Sequence, residues 1–333
     1  MSIDSRTHET QLANTPSPSP PPISRFSGLK PTNLLGLLFV LFCSGLTALS
    51  IYLSTSRETA IWLAGQVLLS LAMLQWFALL HEAGHKTLFR TSRLNYLAGH
   101  LAGFFAVFPF ECWKLVHGMH HRWTGWQDLD VTTSALVPRK LAWWEKLAVN
   151  LCWRLWLPLF SILYRLDNYW NLRRLLRLFA HKPVSGKLVG NVVLLLAAYT
   201  LTGFLVGPLE MLRLVGLGLL LTLMMQDPLI LSQHTHVPMK LSDGETVDPI
   251  PPLDQEVFTR SLKFPSWFSN FVLLNMDAHE LHHMYTGVPG YFLLRIDYDT
   301  QNHISWWQWL VRAKRVRGEV LLFQNRNETG FDI

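Results

Sequence analysis

Charged residues are scarce in this chain of 333 residues, in which Asp, Glu, Lys and Arg together make up 16%. Soluble domains usually carry about a quarter. Half of the residues are hydrophobic, and the mean hydropathy is +0.19. This balance argues against an ordinary soluble domain and indicates a membrane protein. The net charge is +6, and many of the basic residues flank apolar runs. Anionic lipid headgroups are therefore a better partner for this positive charge than nucleic acid. We therefore expect no nucleic-acid partner.

Cysteine is also rare. The three cysteines, Cys43, Cys112 and Cys152, are far apart and form no Cys-x-x-Cys pair. This spacing argues against a disulfide framework and against a zinc ribbon. We expect three reduced thiols that behave as small apolar side chains.

Four apolar runs are long enough to cross a bilayer as helices. They cover residues 34–53, 60–80, 188–207 and 214–231, and each is close to the roughly 20 residues that a span requires. Residues 1–33 are polar and rich in proline, so we predict a disordered tail that is retained rather than cleaved as a signal peptide. Residues 34–300 are predicted to form one membrane domain, and residues 301–333 an interfacial, basic C-terminal tail.

The basic residues predict how these spans are oriented. They cluster after the second run, before the third and near the C-terminus, and the positive-inside rule assigns such segments to the cytoplasm. The spans would then form two hairpins with both termini in the cytoplasm. Two further apolar segments, 94–110 and 147–164, contain polar residues and prolines. We interpret both as interfacial or re-entrant.

Histidines are concentrated in three short boxes. Eight of the 14 lie in these boxes: His81 and His85, then His117, His120 and His121, then His279, His282 and His283. Positions i, i+3 and i+4 share one face of a helix, so the imidazoles of each box are expected to converge. The spans predict that all three boxes lie on the cytoplasmic side.

Eight imidazoles are too many for one zinc ion, which takes four ligands. They suit two metal ions, although imidazole also binds iron, copper and nickel. The pair His234 and His236 directly follows the fourth run and could supply a ninth ligand. We favour His236, with His234 as its substitute.

The three boxes, at this spacing relative to two membrane hairpins, resemble those of the integral-membrane fatty acid desaturase superfamily. Trp113 before the second box, Thr124 and Asp130 after it, and the run Gln233-His234-Thr235-His236 also fit the family pattern. The resemblance covers roughly residues 34–298. It implies an all-α integral membrane enzyme with four transmembrane helices in two hairpins, interfacial helices and a cytoplasmic histidine-rich cap.

The resemblance also implies a chemistry. The cap of such an enzyme holds two iron ions, uses O₂ as co-substrate and introduces a double bond into the acyl chain of a lipid or of acyl-CoA. Because no His-Pro-Gly-Gly haem segment is present, the electrons would come from a separate protein of the ferredoxin or cytochrome b5 type. A sister hydroxylase or ketolase that acts on a fatty acid or a carotenoid would use the same ligand set.

Two other classes of protein compete with this hypothesis. His81-Glu82-x-x-His85 is also the zinc signature of metalloproteases, in which the glutamate is the base. An intramembrane protease would need a distant aspartate ligand, for which Asp227 is the candidate. The third possibility is a membrane protein without enzymatic activity.

In the metal-enzyme interpretation, Asn275 and Asp227 are candidates for supporting contacts around the ligands.

Overall fold

The computed structural model describes residues 19–330 and residue 333. Helices dominate the described part of the chain. In chain order they are α1 (Asn33–Ser54), α2 (Thr59–His85), α3 (Ser92–Ala106), α4 (Phe110–Trp123), α5 (Trp143–Leu155), α6 (Leu159–Arg165), α7 (Leu172–Leu178), α8 (Ser185–Val206), α9 (Pro208–His234), α10 (His279–Met284), α11 (Gly290–Leu293), α12 (Trp306–Arg315), α13 (Gly318–Phe323) and α14 (Arg326–Thr329).

Four of these helices, α1, α2, α8 and α9, are long and apolar enough to cross a membrane. They coincide with the four apolar runs of the sequence. The fourth is longer than the run that predicts it, because α9 begins at Pro208 and ends at His234. A single residue, Gly207, separates it from α8 and has a φ of 91°, a conformation that glycine adopts without strain.

Polar side chains join α2 to α9 within the apolar bundle. Gln66 donates to the carbonyl of Leu214 and accepts from the backbone N–H of Gly218. The hydroxyl of Thr222 donates to the carbonyl of Ser70. Buried amides and hydroxyls need such partners where no water is at hand. These bonds therefore fix how the two longest helices pack.

The segments predicted to be interfacial or re-entrant are short helices. The first forms α3, and the second forms α5 and α6. The chain bends by 116° between Trp143–Leu155 and Leu159–Trp170, where Trp156 adopts a left-handed conformation before Pro158. Trp143 and Trp144 on α5 are largely exposed, as expected for aromatic anchors at a membrane interface.

The C-terminal residues, which the sequence predicts to form an interfacial, basic tail, pack against the rest of the chain. Strand β1 (Ser261–Lys263) pairs in parallel with β2 (His303–Ser305). Beyond β2, Trp309 on α12 is fully buried in an apolar cluster with Leu231 and Leu262. Residues on either side of residue 301 are therefore in contact, through strands that are too short to leave a pattern in the sequence.

The described part of the N-terminal tail contacts the segment that follows the third histidine box. The disordered tail was predicted to reach residue 33, and residues 1–18 of it lie outside the described residues. The ring of Phe26 packs edge-on against Tyr285. The Tyr285 hydroxyl donates to the carbonyl of Pro21, and the backbone N–H of Thr32 donates to the Tyr291 hydroxyl. Residues 21–32 therefore run along the segment that follows the third histidine box.

Candidate metal centre

The first two histidine boxes lie at the ends of helices, and the third forms a short helix of its own. Helix α2 continues through the first box and ends at His85, because Lys86 takes a left-handed conformation and caps it. The second box forms the last turns of α4, and the third box forms α10. Gly84 lets α2 approach α4 closely, since a Cβ at this position would collide with the Trp113 ring. That ring stacks on His117 at 4.3 Å, so the packing of the two helices sets an imidazole in place.

Five imidazoles form the first group. Their ligand nitrogens all lie within 4.8 Å of one another, and the group consists of His81, His85, His117, His121 and His282. The Nε2 atom of His117 lies 2.8 Å from that of His85 and 3.0 Å from that of His121. The Nε2 atoms of His121 and His282 are 3.0 Å apart. Three different helices therefore point their nitrogens at one place.

Four imidazoles form the second group, which consists of His120, His234, His279 and His283. The Nε2 atom of His279 lies 2.9 Å from that of His234 and 3.1 Å from that of His283. The two groups adjoin each other, since the rings of His121 and His283 lie 4.3 Å apart.

The boxes are divided between the two groups by helix geometry. The pairs His117–His121 and His279–His283 are each four residues apart, and each pair stays within one group. The residue between them, His120 or His282, belongs to the other group because adjacent residues differ by about 100° around a helix. The expectation that a whole box converges on one point is therefore corrected: each three-histidine box contributes to both groups.

The preference for His236 over His234 does not match the geometry. His234 is the last residue of α9 and lies in the second group. His236 lines the same cavity but belongs to neither group, and its backbone has a φ of 51°. Its Nε2 atom lies 3.1 Å from the carbonyl oxygen of Val320. Within the described residues, His234 is thus the ninth imidazole of the two groups.

In three histidines of the second group, the Nδ1 atom contacts an oxygen of another residue: a carboxylate, a side-chain amide or a backbone carbonyl. The Nδ1 atom of His120 donates to Asp130 at 2.7 Å. The Nδ1 atoms of His283 and His234 lie 3.0 Å from Gln255 Oε1 and 3.3 Å from the Phe258 carbonyl. When Nδ1 carries the proton, Nε2 keeps its lone pair for a metal. These contacts therefore aim three Nε2 atoms into the second group.

The electrostatics of the groups also fit metal binding. Burial, followed by the neighbouring histidines, lowers the pKa well below its usual value at His117, His121, His279, His282 and His283. These imidazoles are therefore neutral at physiological pH, and neutral imidazole is the form that binds metals. The buried Nε2 atom of His81 has no hydrogen-bond partner among the described residues. Nitrogen-only donor sets of this kind suit iron, copper, nickel and zinc.

Asp130 brings negative charge beside this neutral set. Burial alone would raise the pKa of Asp130, but the His120 imidazole and the hydrogen bonds from Thr132 bring it below its usual value. The carboxylate also accepts from the backbone N–H and the hydroxyl of Thr132, each at 2.9 Å. It is therefore an anchored anion that polarises one imidazole of the second group.

The other acidic and amide candidates lie elsewhere. Asn275 lies outside α10, which begins at His279, and has a φ of 59°. Its amide donates to the carbonyl of Gly290. Asp227 accepts from the backbone N–H of Ser161 and belongs to neither histidine group. Neither residue supports a histidine through a hydrogen bond among the described residues.

The two acidic residues that the protease interpretation requires, Glu82 and Asp227, are not placed for their proposed roles. Glu82 accepts from the Thr87 hydroxyl at 2.7 Å and from the backbone N–H of Gly290 at 2.8 Å. It also lies 3.3 Å from His81 Nδ1. These bonds hold Glu82 as a link between α2 and α11, not as a base facing a zinc-bound water. Asp227, the proposed distant ligand, does not approach His81 or His85 in a common group.

A cavity lies directly beside both histidine groups. It measures about 80 Å³ and is lined by imidazoles of each group, including His117 and His234. A second cavity of about 300 Å³ adjoins it and lies behind α5 and α6. Six residues line both cavities: Thr132, Leu136, Phe160, Tyr164, Leu231 and Leu322. Most of the lining of the combined space is apolar, although Arg139, Asp167 and Asp227 also line the larger cavity. A mostly apolar lining suits a hydrocarbon chain better than a peptide.

Some residues of this site carry no recognisable signal in the sequence. Gln255 lies far from every box, yet its amide contacts His283 and donates to the carbonyl of His121 at 2.9 Å. Phe160 and Tyr164 are spaced as ordinary helix residues, and their rings stack at 5.3 Å to form a wall of the cavities. Trp113 and Asp130, by contrast, lie within the family pattern around the second box and were predictable from the sequence.

Helices that can cross a membrane and two adjoining histidine groups, each of which could hold a metal ion, define a class of helical proteins with candidate metal sites. Residues 59–301 match the family model described as "Fatty acid desaturase". Because this match covers well over half of the chain, the protein belongs to the fatty acid desaturase family.

Individual relatives are similar at low identity. The sn-1 oleoyl-lipid 12-desaturase of Picosynechococcus sp. is 35% identical over 63 residues, which is 19% of this chain and 18% of the relative. The sn-1 acyl-lipid omega-3 desaturase (ferredoxin) of Synechocystis sp. is 32% identical over 88 residues, 26% of this chain and 23% of the relative. The omega-3 fatty acid desaturase, endoplasmic reticulum, of Vigna radiata is 22% identical over 231 residues, 66% and 59% of the two chains. The chain thus spans less than two thirds of the length of these relatives.

Proposed function

We propose that this protein is an O₂-dependent di-iron desaturase that introduces a double bond into the acyl chain of a membrane lipid. The observation that carries the proposal is the pairing of a five-imidazole and a four-imidazole group beside an apolar cavity. The names of the relatives support an acyl-lipid substrate rather than a carotenoid.

The ligands of the proposal follow the two groups. His81, His85, His117, His121 and His282 would hold one iron, and His120, His234, His279 and His283 the other. Once bound, the irons would supply the O₂-dependent oxidation of an unactivated C–H bond, which no amino-acid side chain can perform. Asp130 and Gln255 would keep the imidazoles aimed at the metals.

The remaining residues of the site would handle the hydrocarbon. Phe77 and Trp113 line the smaller cavity beside the histidines, and Leu136, Phe160 and Leu231 continue the apolar surface into the larger one. An acyl chain in this space would be shielded from water and held in one orientation. Restricting the orientation of a flexible chain lowers the entropic part of the barrier and selects the carbons that react.

The membrane position and the electron donor belong to the same proposal. The basic residues that flank the spans favour a cytoplasmic location for the histidine groups and both termini. The electrons would come from a separate carrier of the ferredoxin or cytochrome b5 type. A relative whose name includes ferredoxin supports the first of these.

Expression of the full chain in a host with saturated and monounsaturated lipids tests the proposal. Gas chromatography of the acyl chains is expected to reveal a new double bond. A host that carries His120→Ala should lack this product, since that variant removes an imidazole of the second group. A hydroxylated fatty acid or an oxidised carotenoid in place of the alkene would replace the proposal with a sister oxidation. An unchanged lipid and pigment profile, with the chain folded and iron-loaded, would contradict it.

A further inference from the structure

Residues near the C-terminus form part of the wall of the cavity beside the histidine groups. We define residues 318–325, which are α13 and the two residues after it, as the C-terminal wall. The smaller cavity is lined by histidines of both groups and also by Leu321, Leu322, Gln324 and Asn325. Leu322 also lines the larger cavity, at the junction of the two. All of these residues follow residue 301, where the match to the family model ends.

His236, which belongs to neither histidine group, contacts the C-terminal wall. The His236 side chain is fully buried. Its Nε2 atom lies 3.1 Å from the carbonyl oxygen of Val320, which can only accept, so the proton resides on Nε2. The Nδ1 atom lies 3.4 Å from the hydroxyl of Thr329. His234, two residues earlier, belongs to the second histidine group. One short segment therefore carries a candidate ligand and the fastening of the wall.

Further bonds fix the wall at both of its ends. At its start, Glu319 accepts from the amide of Asn150 at 2.9 Å, and its backbone N–H donates to the same side chain at 3.0 Å. At its end, the Asn325 amide donates to Gln127 at 3.1 Å. The wall therefore connects α5 on one side with the loop after α4 on the other. Its bonds to other segments, rather than helix propensity, hold a helix of six residues in place.

We propose that the C-terminal wall determines which carbons of the acyl chain lie beside the histidine groups, and that His236 is the positioning residue that holds the wall. The inference rests on the proposed desaturase function and adds a specificity element to it. Leu322 fills the junction between the two cavities together with Phe160 and Tyr164. A chain that enters through the larger cavity must pass this junction, so the bulk of Leu322 limits how far it reaches.

Leu322→Ala tests the role of the wall. The variant removes three side-chain carbon atoms at the junction of the two cavities. A change of this size in an apolar pocket alters the preference between substrates about tenfold or more. The ratio of double-bond positions, or of accepted chain lengths, is expected to shift by that factor in the lipid profile. Leu147→Ala is the matched control, because Leu147 lies on α5 and is 60% exposed. It should leave the product ratio unchanged. Equal product ratios in Leu322→Ala and the wild type would overturn the proposal.

His236→Ala tests whether His236 holds the C-terminal wall in place. Iron content and trypsin cleavage are measured in addition to the products. The variant should keep its iron content, should become sensitive to trypsin after Arg317 and should give a broader product distribution. His236→Gln retains an amide N–H that can reach Val320 and should restore trypsin resistance and product ratio. His181→Ala, at an exposed histidine, is the control. Loss of iron from His236→Ala would make His236 a ligand and overturn the proposal, and so would a wild-type trypsin pattern with wild-type products.

The two hypotheses fail in different ways. If the wild-type chain yields no unsaturated product although it is folded and metal-loaded, the proposed function fails. If the wild type desaturates and the variants of Leu322 and His236 give its product ratio, only the role of the wall fails.

Discussion

Asp130 offers the sharpest single test of how the metal site is held. Its carboxylate is 2% exposed and accepts from His120 Nδ1 at 2.7 Å. Two further bonds come from Thr132, so the group cannot turn away. Asp130→Asn keeps the shape of the side chain and removes its charge. The His120 ring then loses the anion that fixes its proton on Nδ1, and its Nε2 atom becomes a weaker ligand.

The expected magnitude follows from the type of bond. A hydrogen bond to a charged group contributes about 1.5–3 kcal/mol, and about 1.4 kcal/mol corresponds to a tenfold change in affinity. Asp130→Asn should therefore weaken iron binding at one of the two sites about 10–100-fold, in the range known for residues that support metal-ligating histidines. The other site, which lacks His120, should change little.

A chelator competition on the purified chain measures this effect. The iron that remains at each chelator concentration gives the affinities of both sites, and one of the two release steps should move. Asp128→Asn is the matched control, because Asp128 accepts from the backbone of Ser242 and lies only two residues away. Unchanged iron release in Asp130→Asn, or an equal shift in Asp128→Asn, would refute the reasoning.

Three more substitutions probe other parts of the site. Gly84→Ala should displace the Trp113 ring, lower the stability by about 1–3 kcal/mol through overpacking and reduce the iron content; a wild-type melting temperature in detergent would contradict this. Gln255→Leu removes the amide that contacts His283 and the backbone of the second box. Iron should therefore be released from both sites at lower chelator concentrations. Unchanged release from both sites would show that Gln255 does not support both histidine groups. Arg165→Leu removes the donor that bonds the Ala106 carbonyl and the Gln226 side chain and should lower the stability by about 1–3 kcal/mol; thermal unfolding that matches the wild type would exclude this account of Arg165.

The long helices were predictable because their signal is local and repeated. Each apolar run contains enough residues to identify a span without knowledge of its neighbours. The ends were less predictable, since α9 extends six residues before its predicted run. Its start depends on the turn at Gly207, which the composition of the run does not reveal. The pairing of β1 with β2 depends on residues about 40 apart, so no local pattern predicts it.

The histidine boxes predicted a site but not its division into two groups. The spacing of four residues in His81–His85 and in His117–His121 places each pair on one face of a helix, and each pair lies in one group. Which group receives His120 or His282 depends on how α4 and α10 cross each other. The choice between His234 and His236 depends on the backbone turn at His236, which a sequence pattern does not encode.

The metal content of the purified full chain tests the central claim most directly. The protein is prepared in detergent without added chelator, and iron, zinc and copper are measured against protein concentration. Two polyhistidine groups predict about two irons per chain, with loss of about one in His234→Ala and of none in His236→Ala. A single zinc per chain would favour the protease interpretation. The absence of any bound metal from folded protein would contradict the account as a whole.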